Sequence, residues 1–269
     1  MKNLKKPLSV ILAALMLLSC LALSAFAAGG KITVTLRVEG IKACLYYGKV
    51  TLDEASTVLD VLMQADKDST ALTVTVADSQ FGEYVSAING ESEKTFKGWD
   101  GWLYRVNGAE PQLSAAEQKV SSGDSVVFYY GDPYGVGMQY PVINTANLKD
   151  GKISFTSTDT AYDENWNPVT QENPVKAYTL TWGYGNGKTV TVTPDENGVC
   201  TIEKEYLTNE AHSVQIERYA ENGCPTVLRL APDFTVGEKT ATSIFRELFA
   251  KLRDFFSKIA DFFKNLFKK

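Results

Sequence analysis

Histidine is almost missing from this 269-residue chain, which has one, His212. Without a second imidazole there is no histidine pair to bind zinc, and no cysteine-histidine couple with local context. His212 falls on a predicted strand among polar neighbours, where a surface imidazole is expected. A nucleophile elbow and a phosphate-cradling glycine loop are also lacking, and no pair of carboxylates stands out. No catalytic residue and no resident cofactor are therefore assigned, and the chain is expected not to be an enzyme.

Cysteine is sparse, with four residues. Cys20 lies in an N-terminal segment in which Lys2, Lys5 and Lys6 precede an apolar run from Pro7 to Leu23 and the small-residue pattern Ala25-Phe26-Ala27. That order is the pattern of a secretory signal peptide over residues 1–27, cleaved after Ala27. A lipoprotein box ending at Cys20 is the rival, and Leu18 and Leu21 fit it poorly. The chain is expected to be exported, extracellular or held at the cell envelope. Three cysteines then remain, too few for a disulfide scaffold. Either Cys200 and Cys224 pair, or all three stay as buried thiols.

Later in the chain no apolar run reaches the length of a membrane-spanning helix. Basic residues are scarce in the body: residues 28–239 carry 29 acidic against 17 basic side chains. Such a balance argues against nucleic acid as a partner. The sign reverses at the C-terminus, where the segment from Arg246 holds seven basic and three acidic residues.

What the chain does have is alternation. "KITVTLRVEG" places Ile32, Val34, Leu36 and Val38 on one face of a strand, and "ACLYYGKVTL" can pair back on it. Asp53 stands where a helix cap belongs, ahead of Ala55, Val58, Leu59, Leu62 and Met63 at helical spacing, which predicts a helix to about Ala65. Strands are predicted at 72–76, 83–88, 101–106 and 125–130, punctuated by Asn89-Gly90, Asn107-Gly108 and Gly123-Asp124. One helix laid over a mixed sheet would bury a single core here.

Residues 132–141, with their glycines and prolines, are predicted to be a linker. From 142 to 239 only strand signals appear, separated by turns such as Asn197-Gly198 and Asn222-Gly223, and they suggest an immunoglobulin-like β-sandwich. Within it, "TDTAYDENWN" gathers Asp159, Asp163, Glu164, Asn165 and Asn167, yet lacks the spacing of a calcium loop and is expected to be a solvated turn. No metal site is expected.

The tail, residues 240–269, is an amphipathic helix by pattern. Phe245, Phe249, Leu252, Phe256, Ile259, Phe263 and Phe267 share an apolar arc of about 140° with basic residues on both shoulders. A surface this apolar should not stay wet, and those seven residues are the expected contacts with a membrane surface. Docking on its own protein and self-association are the alternatives.

Residues 31–131 as a combined pattern resemble the transcobalamin C-terminal-like family, known in bacteria as DUF4430. The carrying stretches are the helix Thr57–Ala65, Ile88-Asn89-Gly90, "GWLYRVNG" from Gly101 to Gly108, and the Gly123-Asp124 turn. The resemblance implies a β-grasp-like domain over 28–131, so the expected fold is mainly β with an α+β part. In the animal cobalamin carriers of that family, such a domain closes over one face of a corrin ring held by a larger helical domain. No helical domain of that kind is present in this chain. By the resemblance Trp102, Tyr104 and the segment from Asn107 and Gly108 to Gln112 and Leu113 face the ligand, with Trp99 beside them as an exposed ring. The structural alternative is that Trp102 and Tyr104, which share a strand face, fill the core. The expected partner is a small ligand, a cobalamin-like corrinoid or another molecule, bound by a surface protein. The competing expectation is an adhesion or assembly protein that meets surface proteins through the sandwich or the tail.

Overall fold

The computed structural model describes residues 30–237 except 81, 163 and 166. The expected signal segment, Cys20, Asp163 and the amphipathic tail with Phe245 to Phe267 lie outside the described residues. Within them the protein is mainly β, with four sheets and a single α-helix. Two compact units divide them: residues 30–95 with 101–130, and residues 96–100 with 131–237.

In the first unit the strands are β1 (Lys31–Glu39), β2 (Cys44–Asp53), β3 (Val74–Ser79), β4 (Gly82–Ile88), β5 (Glu91–Ser92), β6 (Gly101–Val106) and β7 (Ser125–Gly131), with α1 (Val58–Asp68) after β2. The main sheet runs β2-β1-β7-β6, antiparallel between β1 and β2 and parallel between β1 and β7. A parallel neighbour needs a crossover, and α1 lies within it. The alternation of β1 is realised as expected: Val34, Leu36 and Val38 have no exposed surface, and Ile32 is buried with them. Against them α1 buries Val58, Leu59, Val61, Leu62 and Ala65. β3, β4 and β5 form a second, antiparallel sheet whose Val85 and Ile88 join the same core.

The helix starts later than expected. Asp53 ends β2 and pairs with Lys31 at 2.7 Å. Thr57 is the cap: it is extended, its hydroxyl accepts from Asp60 N at 3.2 Å, and the Asp60 carboxylate accepts from Thr57 N at 2.7 Å. This reciprocal box satisfies donors at the start of the helix that a lone aspartate four residues earlier cannot reach. The helix also continues to Asp68, beyond Ala65.

Two turns follow from their residue types. β4 and β5 are joined by Asn89 (φ 50°) and Gly90 (φ 81°), with Ile88 opposite Glu91. Asn107 (φ 52°) and Gly108 (φ 75°) do the same between Val106 and Ala109. Successive positive φ values match the twist of a hairpin and favour asparagine followed by glycine.

The second unit contains β8 (Pro141–Asn144), β9 (Lys152–Tyr162), β10 (Pro168–Pro174), β11 (Thr179–Tyr184), β12 (Lys188–Val192), β13 (Val199–Thr201), β14 (His212–Glu217) and β15 (Thr235–Val236). One sheet is ordered β10-β9-β13 with β8 also on β9, and the other is β12-β11-β14-β15; the strands of both pair antiparallel. Ile153 and Phe155 from the first share a core with Leu180, Trp182, Val214 and Ile216 from the second.

His212 lies on a strand, but the expectation of a surface ring is overturned. Its residue is 3% exposed, and its ring stacks on Trp182 with centroids 4.4 Å apart. Nδ1 lies 2.9 Å from Gly183 O and Nε2 lies 3.2 Å from Thr208 O. A polar ring is accepted in this core because its N–H has a backbone oxygen to donate to, Gly183 O or Thr208 O according to the tautomer.

The Cys200–Cys224 bridge is not formed, and Cys44, Cys200 and Cys224 are free thiols. Cys200 belongs to the core of the second unit, with its Sγ 3.5 Å from the Tyr178 hydroxyl. Cys224 is buried outside that cluster, near the carboxylates of Asp100 and Asp132. The two sulfurs thus have different surroundings: Cys200 lies on β13, whereas Cys224 is not on a strand.

Candidate functional site

The segment after β6 is exposed and yet tied down. Asn107, Gly108, Gln112 and Leu113 are all exposed, Leu113 at 53%. Asn107 brackets the start of β7: its backbone N–H donates to Ser125 O at 2.8 Å, its Oδ1 accepts from Ser125 N at 2.9 Å, and its Nδ2 donates to Asp124 Oδ1 at 2.9 Å. From the strand, the Arg105 guanidinium donates to Gly108 O, at 3.0 Å from Nε, and pairs with Glu110 at 3.3 Å. At the far end the Tyr104 hydroxyl donates to Leu113 O at 2.7 Å.

Tyr104 and Trp102 share a face of β6, as alternation requires, and both pack on the first unit's core. Tyr104 is 8% exposed, and its ring lies 5.8 Å from that of Phe128. Burial above all, and then the Glu117 charge, push its hydroxyl up to about 12. Trp102 is half-buried; its indole N–H donates to Glu91 O at 2.7 Å, and its ring meets Tyr130 edge to face at 5.6 Å. Of the two, Tyr104 holds the loop, through Leu113 O, while the loop itself carries exposed polar groups. Trp99 belongs to the second unit, with residues 96–100.

Nothing in the sequence pointed to an open groove of about 780 Å³ beside α1, lined by Lys31, Asp53, Asp60, Met63 and Lys67 among others. Two of its carboxylates are already engaged, Asp53 by Lys31 and Asp60 by the helix cap. Among the described residues, no group of three or more His, Cys, Asp or Glu side chains is placed to hold a metal ion. The thiols are poor nucleophiles at neutral pH. Burial first, then Glu39, raises Cys44 to about 12, and burial, then Asp100 and Asp132, raises Cys224 to about 12.

Residues 55–132 match the family model described as a domain of unknown function, DUF4430. Solved structures are similar to part of the chain, two of them as follows. Haptocorrin in complex with Cbi is 21% identical over 39% of this chain and 26% of its own, with a TM-score of 0.36. The chain therefore spans about a quarter of the haptocorrin chain. A candidate metal binding protein from Ruminococcus gnavus ATCC 29149 is 16% identical over 38% of this chain and 99% of its own, with a TM-score of 0.31. No curated protein matches. The resemblance noted from Gly101-Trp102 and its neighbours is thus borne out over α1 to the end of β7, and residues 55–132 of this chain are a DUF4430 domain.

Proposed function

We propose that this chain is an exported, non-enzymatic binding protein whose DUF4430 unit, a β-grasp-like module, captures a small ligand of the corrinoid class through the loop Asn107–Leu113. The observation that carries this reading is the loop's combination of exposure and restraint: Leu113 is 53% exposed while its carbonyl is held by Tyr104 and the turn is held by Asn107 and Arg105. A loop already ordered loses little freedom on binding, so its contacts go further toward affinity. The ligand class comes from the family resemblance, and a broad amphipathic ring suits a loop that offers an exposed apolar Leu113 next to the amide of Gln112. In the same reading the second unit is an immunoglobulin-like sandwich acting as a spacer or second recognition unit, and the C-terminal segment is a peripheral membrane anchor.

Titration calorimetry of cobinamide and cobalamin into the purified chain tests it, with Leu113→Ala and Gln112→Ala as loop variants. Saturable binding that both substitutions weaken, at an unchanged Tm, is the expected result. Absence of heat with either corrinoid would remove this ligand class and move the search to protein partners.

A further inference from the structure

Trp99 and Tyr134 are the most exposed large side chains with apolar surface among the described residues, at 78% and 85%. Both belong to the second unit, and one buried carboxylate holds the two backbone segments that carry them. Asp132 is 3% exposed; its Oδ2 accepts from Trp99 N at 3.3 Å and its Oδ1 accepts from Gly135 N at 2.8 Å. Its own carbonyl accepts from Gly137 N at 2.9 Å, which closes the turn around Tyr134. The loop of Trp99 is closed in the same way by Asp100, 2% exposed, which accepts from Phe96 N and Gly98 N at 2.9 Å each. A Cβ on Gly98 or on Gly135 would run into the Asp132 carboxylate, so both backbones approach it closely.

The two aromatic residues thus stand on segments fixed by hydrogen bonds to a common carboxylate, with their surface in water. An indole and a phenol are large apolar surfaces that a chain ordinarily buries, and rigid carriers spare a ligand much of the ordering cost. Together two such rings offer roughly 300–500 Å², well short of the ~800 Å² per partner of a standard protein interface. Their neighbours Lys97, Gly98 and Gly135 are exposed and add little apolar area, though Val136 adds some at 41%. The ligand that fits is small, flat on one side and content to stay wet on the other. Two buried carboxylates close by disfavour an anion. A neutral pyranose meets each condition: its C–H face stacks on an aromatic ring while its hydroxyls keep their water.

We infer that Trp99 and Tyr134, held by Asp132, form a platform for a neutral oligosaccharide, each ring stacking on a pyranose face. This site is independent of the Asn107–Leu113 loop and of the ligand proposed for it.

The test is calorimetric titration of the purified chain with a panel of neutral cell-wall oligosaccharides that includes cellohexaose and chitohexaose, with tryptophan emission followed in parallel. Saturable binding of at least one, with a Kd of about 0.1–1 mM, is expected. Trp99→Ala and Tyr134→Ala should each weaken it about tenfold or more, while Trp99→Phe retains part of the affinity. Because both side chains are exposed, the variants should keep the parent's Tm, which separates loss of binding from loss of fold. No binding across the panel, binding unchanged in both alanine variants, or binding of choline in place of the sugars would each overturn the proposal.

Discussion

His212 stacks on Trp182 inside the second unit, ring centroids 4.4 Å apart and planes inclined by 26°. Trp182 is fully buried and its indole N–H donates to Tyr206 O at 3.0 Å, so two polar rings share one apolar core, each with an N–H that has a backbone oxygen to donate to. Trp182→Ala should cost about 3–5 kcal/mol through lost burial and the cavity left behind. His212→Phe keeps a ring for the stack but leaves Gly183 O and Thr208 O facing carbon, and should cost about 1–3 kcal/mol. Urea unfolding of the two variants checks the order: a His212→Phe protein as stable as the parent would show that the two contacts contribute nothing net.

Thr57 rather than Asp53 begins α1, so Thr57→Ala should destabilise the first unit by about 1 kcal/mol. Asp53→Ala removes an exposed pair with Lys31 and should change stability by at most a few tenths of a kcal/mol. Equal effects from the two substitutions in a thermal melt would contradict the capping geometry.

Asn107 makes three hydrogen bonds to the Asp124-Ser125 segment, two of them from its side chain. Asn107→Ala should lower stability by about 1–2 kcal/mol, because it removes the two side-chain bonds and leaves a residue less tolerant of the left-handed backbone. It should also raise amide exchange across 106–113, and protection there equal to the parent's would show that the loop is held by other means.

Cys44, Cys224 and Tyr104 are all shifted upward to about 12, chiefly by burial. Each is neutral when protonated, so the folded chain keeps protons that the unfolded chain releases near its ordinary values of 9.0 for the thiols and 10.0 for Tyr104. Their contribution to stability is complete below pH 9 and is lost as pH rises from there toward 12. The urea midpoint should fall between pH 8.5 and pH 10.5, and less steeply in a Cys44→Ala/Cys224→Ala variant. The same thiols should resist a disulfide reagent at pH 8 until the chain is unfolded. Rapid labelling of Cys224 in the native protein would count against its burial.

Much of the scaffold was legible because its signals are local. Alternation in Ile32 to Val38 depends only on the two-residue period of a strand, and Asn89-Gly90 and Asn107-Gly108 announce turns because positive φ is cheap for those residues. The DUF4430 pattern was readable for a related reason, since its marks are turn residues and aromatic positions at set spacings along one stretch of chain.

The residues misread or left undecided are those whose surroundings come from elsewhere. Nothing near His212 in sequence reveals that Trp182, thirty positions earlier, lies over its ring. Asp53 and Thr57 are both good caps by type, and the choice fell to Thr57 because Asp60 sits three residues on to complete the box and because Asp53 is drawn into β2 beside Lys31.

For this protein, then, the sequence by itself determined where strands, turns and the helix arise, and which stretch carries the family pattern, since backbone preference and side-chain period act over a few residues. Only the tertiary structure decided which rings are core and which face water. Trp102 and Tyr104 are claimed by Tyr130 and Phe128, while Trp99 is left outside by a bond to Asp132, 33 positions away. Burial is a property of the partner as much as of the residue, and a partner distant in sequence is found only by folding.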